Sequence, residues 1–272
     1  MSSPIASGTA TVLVTLERRG FACPIIVAGW DEGIPLFQKT LEQSGLWRID
    51  VLSRKLILSG AYLQAFASAL GDTLWPLERI EASLNQTLEK RPRNTDVWLF
   101  GYGSLLWNPL FEFDAREIAT LHGWHRSFCL RVVAGRGSVE APGRMLSLEP
   151  GGSTTGVALR LPKEKLVDEL RIIWIREMVA GAYMPTWADV TLRDGRIVSA
   201  LVFVANPSHP YHEANSDIAF IAPIISTASG DIGTNEEYVK RLQSSLADCE
   251  ESDPYVDELA AELERLHASR EH

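Results

Sequence analysis

Apolar positions along the chain recur with two different periods, and the switches between them divide the sequence into segments. Residues 9–16 (TATVLVTL) and 24–28 (PIIVA) are short apolar runs around a polar turn, which predicts two strands. Residues 34–44 are compatible with a helix, and nothing in 1–50 forms a chemical motif. From 52 to 90 the spacing becomes helical, through LSRKLILSGAYLQAFASALG and WPLERIEASLNQTLEK. RPRNTD then breaks the pattern with proline and polar residues and reads as a linker.

Beyond the linker the pattern changes to strands. VWLFGYGSLLWNP (97–109) begins as a buried strand but is interrupted at Tyr102-Gly103-Ser104. Two readings stand: a turn, or a backbone loop that must approach a ligand closely. RMLSLEPGGSTTGVALRLP (144–162) is two alternating runs joined by Pro-Gly-Gly, which predicts a hairpin, and ADVTLRDGRIVSALVFVAN (188–206) repeats the idea around Asp-Gly. Residues 163–180 between them have the helical period, and helical segments follow 213. One opens with Thr234 and carries Glu237 three residues on, a capping box; another opens after Asp253-Pro254. Strand hairpins around one helix, with more helices at the end, predict an α+β domain and not a doubly wound sheet, which needs regular strand–helix alternation.

Composition narrows the function classes. A hydrophobic fraction of 46 % in 272 residues supports a proper core, in one large domain or in an ordinary domain with an extension. The net charge of −9 is spread out and no basic cluster forms, which argues against a nucleic-acid or anionic-membrane surface. Cys23, Cys129 and Cys249 are odd in number, far apart and without CxxC spacing, so neither a disulfide framework nor a zinc site is indicated. MSSPIASGTA lacks a secretory n-region, and no run reaches the roughly 18 apolar residues of a membrane span, so a cytoplasmic setting is expected.

Several familiar signals fail on inspection. FGYGSLL starts like GxGxxG but has Leu106 in the third glycine position, and there is no GxxxxGK[ST] or GxSxG. His122-x-x-His125 falls in a strand-like segment, where positions three apart face opposite sides, and His209-x-x-His212 falls in a Pro-rich loop. No carboxylate spacing supports zinc, so no metal and no cofactor are expected. The helical stretch is more informative. Leu166, Leu170, Ile173 and Glu177 share one face, while Asp168, Glu169 and Arg171 are assigned to the solvated side. Glu177 therefore ends an apolar stripe beside Trp174 and Met178. It either reaches water or an arginine at a helix end, or is desolvated with a raised pKa, as a general base near neutral pH requires. Arg136 in VAGRGS is a turn residue or a partner for a substrate carboxylate. Tyr238 in TNEEYV sits at a helix start, where tyrosine ordinarily packs.

Taken in order, VWLFGYGSLLWNP, GWHRSFCLRVVAGRG, PGRMLSL, GVALRLP, REMVAGAYMPTW, HPYH and GTNEEYV resemble the ChaC-type, glutathione-specific γ-glutamylcyclotransferases. The resemblance is densest over 96–256, and the lead-in from about 52 is similar to that of longer bacterial members. It suggests an extension over 1–50, a helical lead-in and linker over 51–95, and a catalytic domain over 96–266. The resemblance implies a small β-barrel of mixed strands with peripheral helices, and cyclisation of a γ-glutamyl group to 5-oxoproline. Glutathione would be the small-molecule substrate and Cys-Gly the other product; no oligomeric state follows. By the same resemblance, Tyr102, Gly103, Ser104 and Leu105 hold the γ-glutamyl moiety, Glu177 is the catalytic glutamate, Tyr238 lines the pocket, and Arg136, taking the place of the arginine in the family's RG loop, is placed in the pocket as a substrate-binding residue. VVAGRG departs from the Ser-Thr-Asp-His-type run of many members and resembles an enterobacterial-type subgroup. That departure bears on substrate preference more than on reaction type. Two alternatives stay open: the same chemistry on other γ-glutamyl amines or amino acids, and a non-catalytic cation-transport regulator, against which the retained Glu177 speaks.

Overall fold

The computed structural model describes residues 11–18, 21–28, 52–93 and 95–270. The chain forms two compact units, Met1–Leu52 and Ser53–His272. In the first, β1 (Thr11–Arg18) and β2 (Phe21–Ala28) pair antiparallel, with Thr11 opposite Ala28 and Arg18 opposite Phe21. The helix expected over 34–44 lies outside the described residues.

The second unit opens with α1 (Arg54–Leu58), α2 (Ala61–Leu70) and α3 (Leu77–Glu89). Ser53 starts α1 by accepting from the Leu56 N–H, and Gly60, at φ 78°, turns the chain into α2. There follow β3 (Trp98–Gly101), β4 (Ala115–Val132), β5 (Gly143–Arg160), α4 (Leu166–Glu177), β6 (Tyr183–Leu192) and β7 (Ile197–Ala205). Helices α5 (Ile218–Ile225), α6 (Asn235–Ala247) and α7 (Pro254–Arg270) complete the unit, α6 opening on the expected Thr234–Glu237 capping box. The five strands close a barrel in the order β3-β5-β4-β6-β7. Closure comes from one parallel pairing of β7 with β3, Ala200 opposite Trp98 and Leu201 opposite Leu99; the other ladders are antiparallel. This is the α+β barrel with peripheral helices that the resemblance implied.

The hairpin expected over 144–162 does not form. β5 runs unbroken along β4, from Gly143 opposite Val132 to Arg160 opposite Ala115. Pro150-Gly151-Gly152 lies where the register slips between His122 and Trp124, and Gly123, Gly151 and Gly152 have φ of 81°, 120° and 62°. The three glycines bend a continuous pair at an irregularity in the ladder; they do not reverse the chain. A partner long enough to match both halves of β5 decides the outcome, and that partner is distant in sequence. Asp194-Gly195 does make the turn expected of it, joining β6 to β7 with Gly195 at φ 88°.

Helix α4 is buried almost all round, with Leu170, Ile172, Ile173 and Trp174 at 1 % exposure or less. Trp174 packs edge-on to Phe203 of the barrel at 5.2 Å. The opposite side is covered by the lead-in helices, where Arg171 Nε donates to Glu81 at 2.8 Å and Trp174 Nε1 to Ser83 Oγ at 3.4 Å. Glu169 accordingly departs from the solvated side assigned to it. It is fully buried, taking hydrogen bonds from both Arg54 Nη atoms and from the Glu112 N–H. Asp168 stays on the solvated side as assigned, but Glu169 lies where the lead-in helices cover α4 and is buried only with partners for its charge.

Candidate active site

All four residues of β3 are buried, and the strand ends where the chain turns into a 3-10 turn at Ser104–Leu106. Gly103 sits beneath the Tyr238 hydroxyl: a Cβ at this position would lie 2.8 Å from Tyr238 Oη and 3.3 Å from Leu146 Cδ2. Glycine is what lets the loop backbone come this close. Behind the loop, the buried Arg126 donates from Nε to the Tyr102 carbonyl at 2.9 Å and from Nη2 to the Thr155 carbonyl at 2.6 Å. Its Nη1 pairs with Asp253 at 2.7 Å, so the charge is compensated where it is buried. The Tyr102 hydroxyl donates to the Phe203 carbonyl across the barrel. These bonds fix both the loop and the strand that carries it.

The loop forms one wall of a narrow, partly open cleft. Tyr102, Gly103, Ser104, Leu105, Glu177 and Tyr238 all line it, together with Phe100, Leu146, Tyr183 and Phe203. Residues from β3, β5, β6, β7 and two helices thus meet at one end of the barrel.

Glu177 is the last residue of α4, and burial pushes its carboxyl above the ordinary carboxylate range, with the Arg176 guanidinium opposing the shift. Its side chain is 15 % exposed. Arg176 Nε stands 3.0 Å from Glu177 Oε1, yet that oxygen accepts no hydrogen bond. The guanidinium is turned instead toward the loop, donating to Ser104 Oγ at 2.7 Å and to the Asn108 carbonyl. Of the two readings left open for Glu177, the carboxylate is desolvated and has an arginine neighbour, so elements of both are present.

Burial pushes the Tyr238 hydroxyl up to about 12, and the charge of Glu177 adds to this, against Arg136, Arg176 and the Ser104 N–H. Its ring is held edge-on by Trp107 at 5.5 Å and Phe128 at 6.2 Å. Arg136 is not brought into the lining of the cleft. Its Nη1 donates to the Thr234 carbonyl at 2.8 Å and its guanidinium lies 5.7 Å from the centre of the Tyr238 ring. It touches the site through that tyrosine.

Sequence reasoning passed over three residues here. Tyr183 lines the cleft and donates to the Leu146 carbonyl at 3.0 Å; Phe203 stacks between it and Trp174. Tyr183 lies within REMVAGAYMPTW but is given no role there, and Phe203 belongs to none of the quoted motifs. Arg176 did carry a signal, as a lone arginine inside the apolar run IIWIRE. Among the lining side chains Glu177 supplies the one carboxylate, which suits proton transfer better than metal binding. The arrangement offers a desolvated proton acceptor on one side and backbone N–H groups with tyrosine hydroxyls on the other.

The family profile described as "ChaC-like protein" matches residues 97–266. The glutathione-specific gamma-glutamylcyclotransferase of Escherichia coli K12 is 45% identical over 218 residues, covering 80% of this chain and 94% of that protein. Glutathione-specific gamma-glutamylcyclotransferase 1 of Homo sapiens is 32% identical over 166 residues, 58% of this chain and 75% of that protein. Among solved structures, the yeast gamma-glutamyl cyclotransferase specific to glutathione superposes with a TM-score of 0.58 at 21% identity, over 63% of this chain and 97% of that one. This last likeness is one of fold.

Proposed function

The chain belongs to the ChaC-like family, and on that footing we propose that it degrades glutathione by intramolecular cyclisation, releasing 5-oxoproline and Cys-Gly. The observation that carries the reading is Glu177, a buried carboxyl of raised pKa that lines one cleft together with a glycine-bearing loop.

The reaction needs no enzyme nucleophile, because the substrate's own α-amine attacks its own γ-carbonyl. A five-membered ring closes, and well-oriented intramolecular reactions reach effective molarities of roughly 10⁵–10⁸ M. The protein must therefore fold the substrate and move protons. An α-amine with a pKa of about 8 is largely protonated at neutral pH. Glu177 takes the proton it must lose and returns one to the departing amide nitrogen as the C–N bond breaks. A carboxyl of raised pKa suits both halves of that transfer. The N–H groups that open a turn have no acceptor inside it. Those of Gly103, Ser104 and Leu105 donate to the substrate's negative oxygens, next to the Tyr238 hydroxyl. Tyr102, Tyr183 and Tyr238 form the walls. Arg136 acts on substrate only through Tyr238.

We assign this activity to the Ser53–His272 unit and place it in the cytoplasm, where thiols such as Cys129 and Cys249 stay reduced. No described helix is long and apolar enough to cross a membrane. The test is incubation with reduced glutathione and, in parallel, γ-glutamyl-alanine, following 5-oxoproline by mass spectrometry. Release of 5-oxoproline and Cys-Gly from glutathione is expected. Release from γ-glutamyl-alanine alone would keep the chemistry and overturn the substrate, and no release from either would overturn both.

A further inference from the structure

Away from the cleft, three different kinds of metal donor converge. Cys129 on β4, Glu149 on β5 and His212 in the loop after β7 place their donor atoms within 4.8 Å of one another. We propose that these three side chains bind a divalent transition-metal ion of borderline softness, such as zinc, at a site separate from the γ-glutamyl cleft.

The donor set selects the class of ion. A thiolate, an imidazole and a carboxylate together suit zinc and its neighbours and not magnesium or calcium, which take oxygen donors. A tetrahedral zinc with bonds of about 2.0–2.3 Å holds its donors roughly 3.3–3.8 Å apart. His212 Nε2 and Glu149 Oε1 are 2.9 Å apart, so the trio reaches that spacing by small side-chain rotations.

The backbone around the trio is already in place. Opposite Leu146, β4 carries two residues, Phe128 and Cys129, because the register slips between Ser127 and Leu130. A bulge of this kind re-aims a side chain. The loop carrying His212 is fastened to β4 on both sides of the site. The Arg131 N–H donates to the Tyr211 carbonyl and the Glu213 N–H to the Cys129 carbonyl, each at 2.8 Å. Little ordering remains to be done when an ion arrives. His209 is not part of the group, since its ring Nε2 faces the Ala180 carbonyl at 2.9 Å.

Access and second partners fit as well. The Cys129 side is closed, while Glu149 and His212 are 21% and 14% exposed, so one face opens to solvent for entry and for a water as fourth ligand. The Ser127 hydroxyl beside Glu149 is buried and makes no hydrogen bond, so it is free to become the kind of outer partner that orients a ligating carboxylate. On binding, a sulfur–metal bond forms and the thiol proton leaves to solvent; the imidazole binds neutral. Tyr183 packs against the buried cluster of Cys129, Leu130 and Ala205, so the site lies behind the wall of the cleft.

The test is optical and independent of any enzyme activity. The full chain is reduced, stripped with a chelator and titrated with Co²⁺ alone. One equivalent should produce a thiolate-to-cobalt absorption band in the near ultraviolet, and Zn²⁺ should displace it. Cys129→Ser should abolish the band, and His212→Gln should weaken Co²⁺ binding at least about tenfold. Cys249→Ser and Cys23→Ser should leave it unchanged. His212 lies nearer the surface, so its variant keeps the test intact if Cys129→Ser does not fold, as circular dichroism would show. No band, a band unaffected by His212→Gln, or one lost with Cys23→Ser would overturn the proposal.

Discussion

Arg176 and Ser104 share a 2.7 Å hydrogen bond, from Nη2 to Oγ. The residue next to the cleft carboxylate is therefore fastened to the loop that faces that carboxylate. The same guanidinium holds the Asn108 carbonyl and stands 3.0 Å from Glu177 Oε1. One side chain sets the spacing between the two walls and supplies the positive charge that counters burial of Glu177.

Arg176→Gln should accordingly act in two ways. Loss of the loop contact should lower kcat/KM by about 10²-fold, the scale of a small misplacement of reacting groups. Loss of the charge should let burial raise the Glu177 carboxyl further, because Arg176 opposes that rise. The acid limb of the pH–rate profile should therefore move to higher pH. A profile that drops in height without moving would show that the arginine is structural only.

Glu177→Gln should keep the fold and lower cyclisation by about 10²–10⁴-fold or more, since an amide of the same shape cannot carry a proton. Stability should change in the opposite sense. The folded-state pKa lies above the unfolded one, so the stability of the native protein is full below the unfolded value and falls as pH rises through the folded one. The glutamine variant escapes that loss. Its melting temperature, measured from pH 4 to 8, should gain on the native protein as the pH rises. Activity within about tenfold of the native protein would remove Glu177 from the role assigned to it.

Gly103→Ala places a methyl group 2.8 Å from Tyr238 Oη. Overpacking of this kind costs about 1–3 kcal/mol, and here the nearest atom to yield is a hydroxyl that lines the cleft. Activity should fall more than stability does. Adding Tyr238→Phe removes the clashing oxygen, so the double variant should melt above the single one; thermal unfolding of the pair reads this directly.

Arg54→Ala should destabilise the second unit by about 2–3 kcal/mol, because it leaves Glu169 buried with only part of its hydrogen bonding. Burial alone would push the Glu169 carboxyl up, but the Arg54 guanidinium and the Glu112 N–H outweigh it and hold it below the usual range. A lowered folded-state pKa gives stability that is present above the unfolded value and lost as pH falls through the folded one. The gap between native and variant melting temperatures should therefore close on acidification.

Much of this was legible in the sequence where signals are local. The capping box at Thr234, the Asp194-Gly195 turn and the run ending at Glu177 each depend on residues within a turn or two, and each appears where expected. Tyr102 through Leu105, Glu177 and Tyr238 line one cleft, whereas Arg136, named with them from the resemblance, is not among its lining residues. What failed depends on distant partners. Pro150-Gly151-Gly152 carries the chemistry of a turn, and only the matching length of β4 makes it a bend. Glu169 looked solvated because helical periodicity cannot show that Arg54, in another helix, covers it. The Cys129, Glu149 and His212 donors come from three elements with no common motif, so no spacing rule could have gathered them.

Closure of the barrel has a consequence for synthesis of the chain. β3 is made first among the five strands, but its parallel neighbour β7 ends at Ala205, and Tyr238 comes later still. While the nascent chain is threaded through a ribosome, β3 has one edge unpaired and the loop after it faces no opposite wall. An emerging chain cannot complete the cleft until the segment carrying Tyr238 is out. A ribosome stalled before that point holds an exposed apolar edge, the surface that holdase chaperones recognise.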